Sequence, residues 1–421
     1  MDKNNKTRTH FPDKGRPANE VLGELTELKA GDADWQHGRV PLFVFKGSDA
    51  VTDLGQQAFS AYFSENALGA ARAFPSVARM ERDVIGMALD LFHAPQGARG
   101  FMTSGGSESI VLAVRACRNH ARTVRDDPNH RGNIVAPDTI HPAFDKAASL
   151  MDLTIRRAPA GTDFRADPGA LAPLIDDDTI MLVGSAPCFP FGVIDPIAAL
   201  AELARERRLW LHVDACVGGY LAPFVKANGH DIPDFDFAIE GVNSISADLH
   251  KYGFCPKPAS TVLYRNAALA EHQPFDFDAW PSGRFVTPTI VGTRPAGGVA
   301  AAWAILQHLG REGYQQIARD LMAGVASYRQ GVRDIDGLQI LGDPHLAITA
   351  FAAPSMNIFA VSDRLQARGW LPGLVRRPPA IHRMMSMFHV AALSDYLADL
   401  AEAVRQEKAS PTAPASADVR Y

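Results

Sequence analysis

The chain has 421 residues, 47% of them hydrophobic, and a formal net charge of −5. That is enough apolar material for a large core and too much length for one ordinary compact unit, so a large and a small domain are expected. The near-balanced charge offers no basic face for nucleic acid, no run of eighteen or more apolar residues marks a transmembrane helix, and the polar start MDKNNKTRTHFPDKGRP is not a signal peptide. A soluble, cytoplasmic protein is expected. Its four cysteines, at 117, 188, 216 and 255, have no metal-type spacing and read as small buried or site-lining thiols, with no metal.

In chain order, the first forty or so residues are rich in charge, Gly and Pro and read as an arm or short helix. Residues 40–46 read as a strand and 53–65 as a helix. In 76–92, Val77, Met80, Val84, Met87, Ala88 and Leu91 recur at helical spacing, which predicts an amphipathic helix. GFMTSGGSESIVLAVRA (100–116) reads as a strand, a Gly-Gly turn and an apolar helix. Such a turn lets backbone N–H groups approach an anion at a positive helix end, although alone it serves equally as a plain turn. Residues 133–137 form a strand that delivers His141 to a helix start, where a lone histidine is ordinarily a cap. Residues 180–186 are a buried strand of the parallel kind, 195–208 the crossover helix, and 209–213 the next strand, ending in Asp214. A strand over 237–245 leads to His250 and Lys251. The aromatic stretch QPFDFDAWPSGRF reads as a loop, and 303–314 as the helix leaving the large domain. The small domain is predicted to hold strands near 338–341 and 356–361 and a closing helix over 394–407, with a disordered tail. Strand and helix alternating in this order predict a mainly parallel sheet with the site at its carboxyl ends. The predicted divisions are an N-terminal segment (1–59), a large domain (60–314), a small domain (315–408) and a tail (409–421).

Two buried strands that stop at an acid and at a His-Lys pair are costly, since an unpaired buried charge costs several kcal/mol or shifts its pKa. Each half alone fits a helix cap or a solvated turn. Together they match what pyridoxal phosphate requires: a lysine to hold the aldehyde, and a carboxylate to keep the pyridine nitrogen protonated so that the ring accepts electrons. Asp214 and Lys251 are then the two ends of one cofactor.

HVDACVGGY and SISADLHKYGFCPK resemble the sphingosine-1-phosphate lyase family of the group II amino-acid decarboxylase superfamily. TSGGS (103–107), HPAFDKAA (141–148) and GTRP (292–295) extend the resemblance. It implies an α/β fold of the pyridoxal-phosphate-dependent transferase type (fold type I, aspartate-aminotransferase-like), with a mainly parallel large domain and a small C-terminal α/β domain. It further implies Lys251 as the cofactor lysine and Asp214 as the carboxylate on the ring nitrogen. His141 stacks on the ring and is the leading acid/base group. Gly105, Gly106, Ser107 and His250 hold the phosphate. Gly292 and Thr293 come from the neighbouring subunit of a homodimer, and the N-terminal segment crosses to the partner.

Four departures from the family pattern stand out. Phe45 stands where a tyrosine is usual, and Gly69, followed by an apparent one-residue insertion, where a histidine is usual. Cys188 stands at the x of APxFPHG, often an amide, Phe191 at its histidine, and Pro258 where PKG has glycine. Phe45, Cys188, Phe191 and Lys257 are the candidate substrate contacts. Lys257 matches a phosphate-binding lysine, though a solvated turn is its alternative. The expected activity is retro-aldol cleavage of an amino alcohol or β-hydroxy amine, weak or absent on sphingosine 1-phosphate itself. Amino-acid decarboxylation is the alternative, favoured by the lost polar groups, and a catalytically silent cofactor-binding protein is a second.

Overall fold

The computed structural model describes residues 9–412. Ahead of the main sheet lie α1 (Ala18–Leu28), α2 (Asp49–Ala61) and α3 (Pro75–Leu91). Ser48 starts α2 by accepting the Val51 N–H at 3.2 Å, so the helix begins before residue 53. In α3, Pro75 sits in the first turn, and Val77, Met80, Val84, Ala88 and Leu91 are buried as the spacing predicts. Ile85 joins that face, and Met87 is only half-buried.

Seven strands form the large sheet: β1 (Arg99–Thr103), β2 (Asn133–Pro137), β3 (Thr154–Ala158), β4 (Thr179–Ser185), β5 (Trp210–Asp214), β6 (Val242–Ala247) and β7 (Ser260–Tyr264). Their order is β1-β7-β6-β5-β4-β2-β3, and β7 alone runs against its neighbours. Helices α4 (Gly106–Val124), α5 (Ala143–Met151), α6 (Pro168–Leu171), α7 (Ile197–Arg207), α8 (Ala222–Ala227) and α9 (Ala267–Ala270) connect them. β2, β4 and β5 are buried along their whole length, which is why each reads as an apolar run. The strand expected over 237–245 starts only at Val242. The Asp236 carboxylate accepts the Ala238 N–H at 2.9 Å and holds a turn there, and Gly241 follows at φ 103°.

The aromatic stretch after β7 is a two-stranded ribbon, β8 (Phe275–Phe277) with β9 (Phe285–Thr287), where a loop was expected. Helix α10 (Ala296–Arg333) then leaves the large domain and is broken at Gly310, whose φ of 52° and ψ of −170° are not helical. The small domain is an antiparallel sheet, β10-β11-β13-β12, of β10 (Gln339–Ile340), β11 (Ile348–Ala352), β12 (Gly373–Arg376) and β13 (Pro379–Met384). It is covered by α11 (Ile358–Gln366), α12 (Met387–Ala391) and α13 (Leu393–Ala409). The strand expected over 356–361 is a helix, because Asn357 caps it by accepting the Phe359 N–H at 3.2 Å. The tail begins within α13 at residue 409, and its part from 413 onward lies outside the described residues.

Residues 40–46 are no strand. Phe43 turns to φ 69°, and the segment is strapped to the small domain by contacts that build no sheet. His389 Nε2 donates to Val40 O at 2.7 Å, and the Leu371 N–H to Arg39 O at 2.9 Å. The Arg39 guanidinium lies 4.0 Å from the Trp370 ring centre.

Candidate active site

The carboxyl ends of β1, β4, β5 and β6 enclose a cavity of about 270 Å³, near the lower end of small-ligand pockets. Seven sequence-predicted residues, Gly105, Gly106, Ser107, His141, Asp214, His250 and Lys251, line it. Each follows a strand end, as a mainly parallel sheet requires.

Asp214 closes β5 and is buried. Its Oδ1 accepts the Cys216 N–H at 3.0 Å and the Ser246 hydroxyl at 3.3 Å. Both bonds fall on one oxygen, so Oδ2 is the atom left for a ligand's N–H in the cavity.

Across the cavity, Lys251 Nζ contacts Asp248 Oδ2 at 2.9 Å. Burial opposes the lysine's charge, but Asp248 outweighs it and raises the ammonium to about 12. For Asp248, burial favours the neutral acid; Lys251 and then His250 overcome it, and the carboxyl lies below its usual range. His250 Nε2 is 3.7 Å from the same oxygen. Burial is the main cause that lowers His250; Asp248 opposes it, and Lys251 and Lys257 add to it. The motif around Lys251 contained Asp248 in plain view three residues ahead, and only the fold shows the two side chains facing each other.

Gly106 opens α4 against this pair. A side chain there would place Cβ 2.8 Å from both Asp248 Oδ2 and Cys216 Sγ, so the position admits glycine alone. Glu108, which sequence reasoning missed, is buried in the first turn of α4 and accepts the Ser104 N–H at 2.7 Å and the Ile290 N–H at 2.9 Å. The signal available was a glutamate at the third helical position after the turn.

His141 Nδ1 accepts the Ala143 N–H at 3.1 Å, so in the neutral ring the proton sits on Nε2. Burial lowers its pKa, against a smaller opposing pull from Asp214. Phe189 meets the ring edge-on at 6.4 Å and lines the cavity as well.

The remaining candidates lie elsewhere. Phe45 packs edge-on against Tyr252 at 5.0 Å. Cys188 and Phe191 are buried in a cluster with Leu341 and Ala350 of the small domain, and Phe191 stacks on Phe164 at 4.2 Å. Lys257 is exposed, on the His250 side. Gly292 lines a second cavity with Leu68, and Thr293 accepts a bond from Asn66 at 3.3 Å, apart from this chain's own cofactor cavity.

The donor set fits pyridoxal phosphate. An amine and a carboxylate face each other across the cavity, a helix start without side chains offers N–H groups to an anion, and His250 Nδ1 is buried without a hydrogen-bond partner among the described residues. Fold and site together define a pyridoxal phosphate enzyme of fold type I. The pyridoxal-dependent decarboxylase conserved domain matches residues 3–353. A sphingosine-1-phosphate lyase from Arabidopsis thaliana is 41% identical over 97% of this chain and 76% of its own. The structure of a Burkholderia pseudomallei sphingosine-1-phosphate lyase superposes with a TM-score of 0.90 at 35% identity, over 95% of this chain and 93% of that one. A Lactobacillus brevis glutamate decarboxylase shares the fold at a TM-score of 0.84 and 19% identity, over 97% and 96% of the two chains. The chain belongs to the pyridoxal-dependent decarboxylase family, in its sphingosine-1-phosphate lyase branch. It is a pyridoxal-phosphate-dependent carbon–carbon lyase acting on an amine. Among the described residues no helix is long and apolar enough to cross a membrane.

Proposed function

We propose that the enzyme cleaves the Cα–Cβ bond of a phosphorylated β-hydroxy amine, the class to which sphingosine 1-phosphate belongs, releasing an aldehyde and a phosphorylated amine. The observation that carries this reading is the location of the departures from the family pattern. Cys188 and Phe191 sit in the cluster facing the small domain and not in the cavity, so their loss of polarity bears on packing and gives no reason to prefer decarboxylation. Kinship with active lyases sets aside the silent alternative.

When bound, pyridoxal phosphate supplies an electron sink for charge developing at the substrate's Cα. Lys251 holds the aldehyde, and Asp248 holds the proton of its free ammonium. Asp214 keeps the ring nitrogen protonated through Oδ2. Gly105, Gly106, Ser107 and His250 bind the cofactor phosphate. His141 covers the ring, and its Nε2–H donates toward the reacting side. Lys257 meets the substrate phosphate. Assaying aldehyde and CO₂ separately, with sphingosine 1-phosphate, β-hydroxy amino acids and plain amino acids, tests the reading. Aldehyde without CO₂ from the phosphorylated base is expected, and CO₂ without aldehyde overturns it.

We propose in addition a homodimer, in which the loop with Gly292 and Thr293 completes the neighbour's phosphate site. This is supported by Gly292 lining a separate cavity rather than its own chain's cofactor cavity and by the exposed Phe275, Phe277, Trp280, Val286, Ile290 and Val291. Sedimentation at micromolar concentration is expected to give the dimer mass; a fully active monomer overturns it. The residue bounds of the domains remain part of this proposal, with the break at Gly310 close to the expected limit of the large domain.

A further inference from the structure

We propose that Trp210, Ser244, His212 and Ser246 form a one-way hydrogen-bond chain ending on Asp214, which makes His212 a positioning residue for the carboxylate that meets the cofactor ring. Strand periodicity builds it. Trp210, His212 and Asp214 alternate along β5 and share one face, and β6 presents Ser244 opposite His212 and Ser246 opposite Asp214. All five residues are buried.

The links are Trp210 Nε1 to Ser244 Oγ at 2.7 Å, Ser244 Oγ to His212 Nδ1 at 2.8 Å, His212 Nε2 to Ser246 Oγ at 3.1 Å, and Ser246 Oγ to Asp214 Oδ1 at 3.3 Å. Their direction is set from the carboxylate end. An ionised carboxylate only accepts, so Ser246 gives its single hydroxyl proton to Asp214 and must take its bond from His212 as acceptor. The imidazole proton is therefore on Nε2, and Nδ1 accepts the hydroxyl proton of Ser244. Ser244 in turn accepts from the indole Nε1–H of Trp210, which only donates. The Cys216 thiol donates a second bond to Ser246 Oγ at 3.3 Å. The Phe144 ring meets His212 edge-on at 5.8 Å and keeps water from it. Burial lowers His212 to about 4, against a smaller pull from Asp214, so the ring stays neutral and the chain keeps one polarity at neutral pH.

The result is a carboxylate whose Oδ1 is held by a donor that cannot reorient, while Oδ2 faces the ring nitrogen. A hydrogen bond to a buried charge accounts for roughly tenfold in an equilibrium. Two measurements test this. The first uses cofactor-free wild-type protein labelled with ¹⁵N-histidine, with His212 assigned by its loss in His212→Asn. The Nε2–H tautomer is expected, without titration between about pH 5 and 8. An Nδ1–H tautomer, or titration in that range, overturns the proposal. The second compares wild type, Ser246→Ala and Trp210→Phe for pyridoxal phosphate dissociation and for the pH midpoint of the bound cofactor's visible band. Ser246→Ala is expected to weaken cofactor binding about tenfold and to move the midpoint. Trp210→Phe is expected to change affinity by about twofold and to leave the Nε2–H tautomer of His212 in place, because Asp214 still sets the direction. A folded Ser246→Ala protein with wild-type affinity and midpoint overturns the proposal; if that variant does not fold, the wild-type spectrum decides alone.

Discussion

The two walls of the cofactor cavity are built on opposite plans. Behind Asp214, the side-chain polar atoms of Trp210, His212, Ser244 and Ser246 all have partners within the protein, and Asp214 Oδ2 is left for the ligand. Around Lys251, a half-buried ammonium and a buried carboxylate hold each other at 2.9 Å, while His250 Nδ1 and Asp248 Oδ1 have no hydrogen-bond partner among the described residues. Unsatisfied buried polar atoms are uncommon and call for an explanation. On the proposed reading, the Asp214 end is preorganised for the ring nitrogen, and the polar groups of the Lys251 end are to be satisfied by the cofactor.

The strongest way to break this contrast is Lys251→Ala. Turnover is expected to fall to background, and borohydride is expected to fix no cofactor to the chain. The cofactor-free variant is also expected to be less stable by about 3 kcal/mol, because Asp248 loses its buried partner, as read from urea unfolding. Gly106→Ala comes next. Its Cβ meets Asp248 and Cys216 at 2.8 Å, so cofactor affinity is expected to drop about 10- to 100-fold, read by equilibrium dialysis.

Acid and base then separate the walls by sign. His212 and His382 are each lowered by burial to about 4, so the unfolded chain binds more protons than the folded one between about 6.5 and 4. Their contribution is complete above about pH 6.5 and is lost as pH falls, by about 3 kcal/mol for each group. Lys251, raised to about 12, behaves in the opposite way: its contribution is present below about pH 10.5 and is lost as pH rises. Urea midpoints at about pH 4.5, 7 and 10.5 are expected to show acid loss surviving in Lys251→Ala and alkaline loss diminished. The smallest effect is expected from Phe191→Leu, outside both walls. It removes the stack on Phe164 and costs about 1 kcal/mol, with KM unchanged within about twofold.

The large sheet was legible because a strand buried on both faces must be apolar throughout, so Asp214 and Lys251 stood out where the runs ended. Asp248 was not singled out, since an acid three residues before a lysine in a turn has no distinctive pattern until the backbone places both inside one cavity. Trp210, His212, Ser244 and Ser246 alternate visibly, yet their meaning lies in the register of β5 against β6, which a single chain does not display. β12 and β13 escaped because Arg376, Pro379, His382 and Arg383 interrupt any apolar run, and Arg383 is buried under the Tyr396 ring at 3.9 Å. The strap at 40–46 has strand composition without a strand's neighbours.

That strap also sets the mechanics of the molecule. The small domain is joined to the large one by the chain at Gly310 and is fastened a second time through Val40, Arg39 and Trp370. The buried packing of Cys188 and Phe191 against Leu341 and Ala350 is a third attachment between the two domains. Phe45 lies on the strap with its ring against Tyr252, and the Tyr252 hydroxyl bonds Met385 O at 2.7 Å. The strap, the residue next to Lys251 and the small domain are thus joined in one packed line through two aromatic rings.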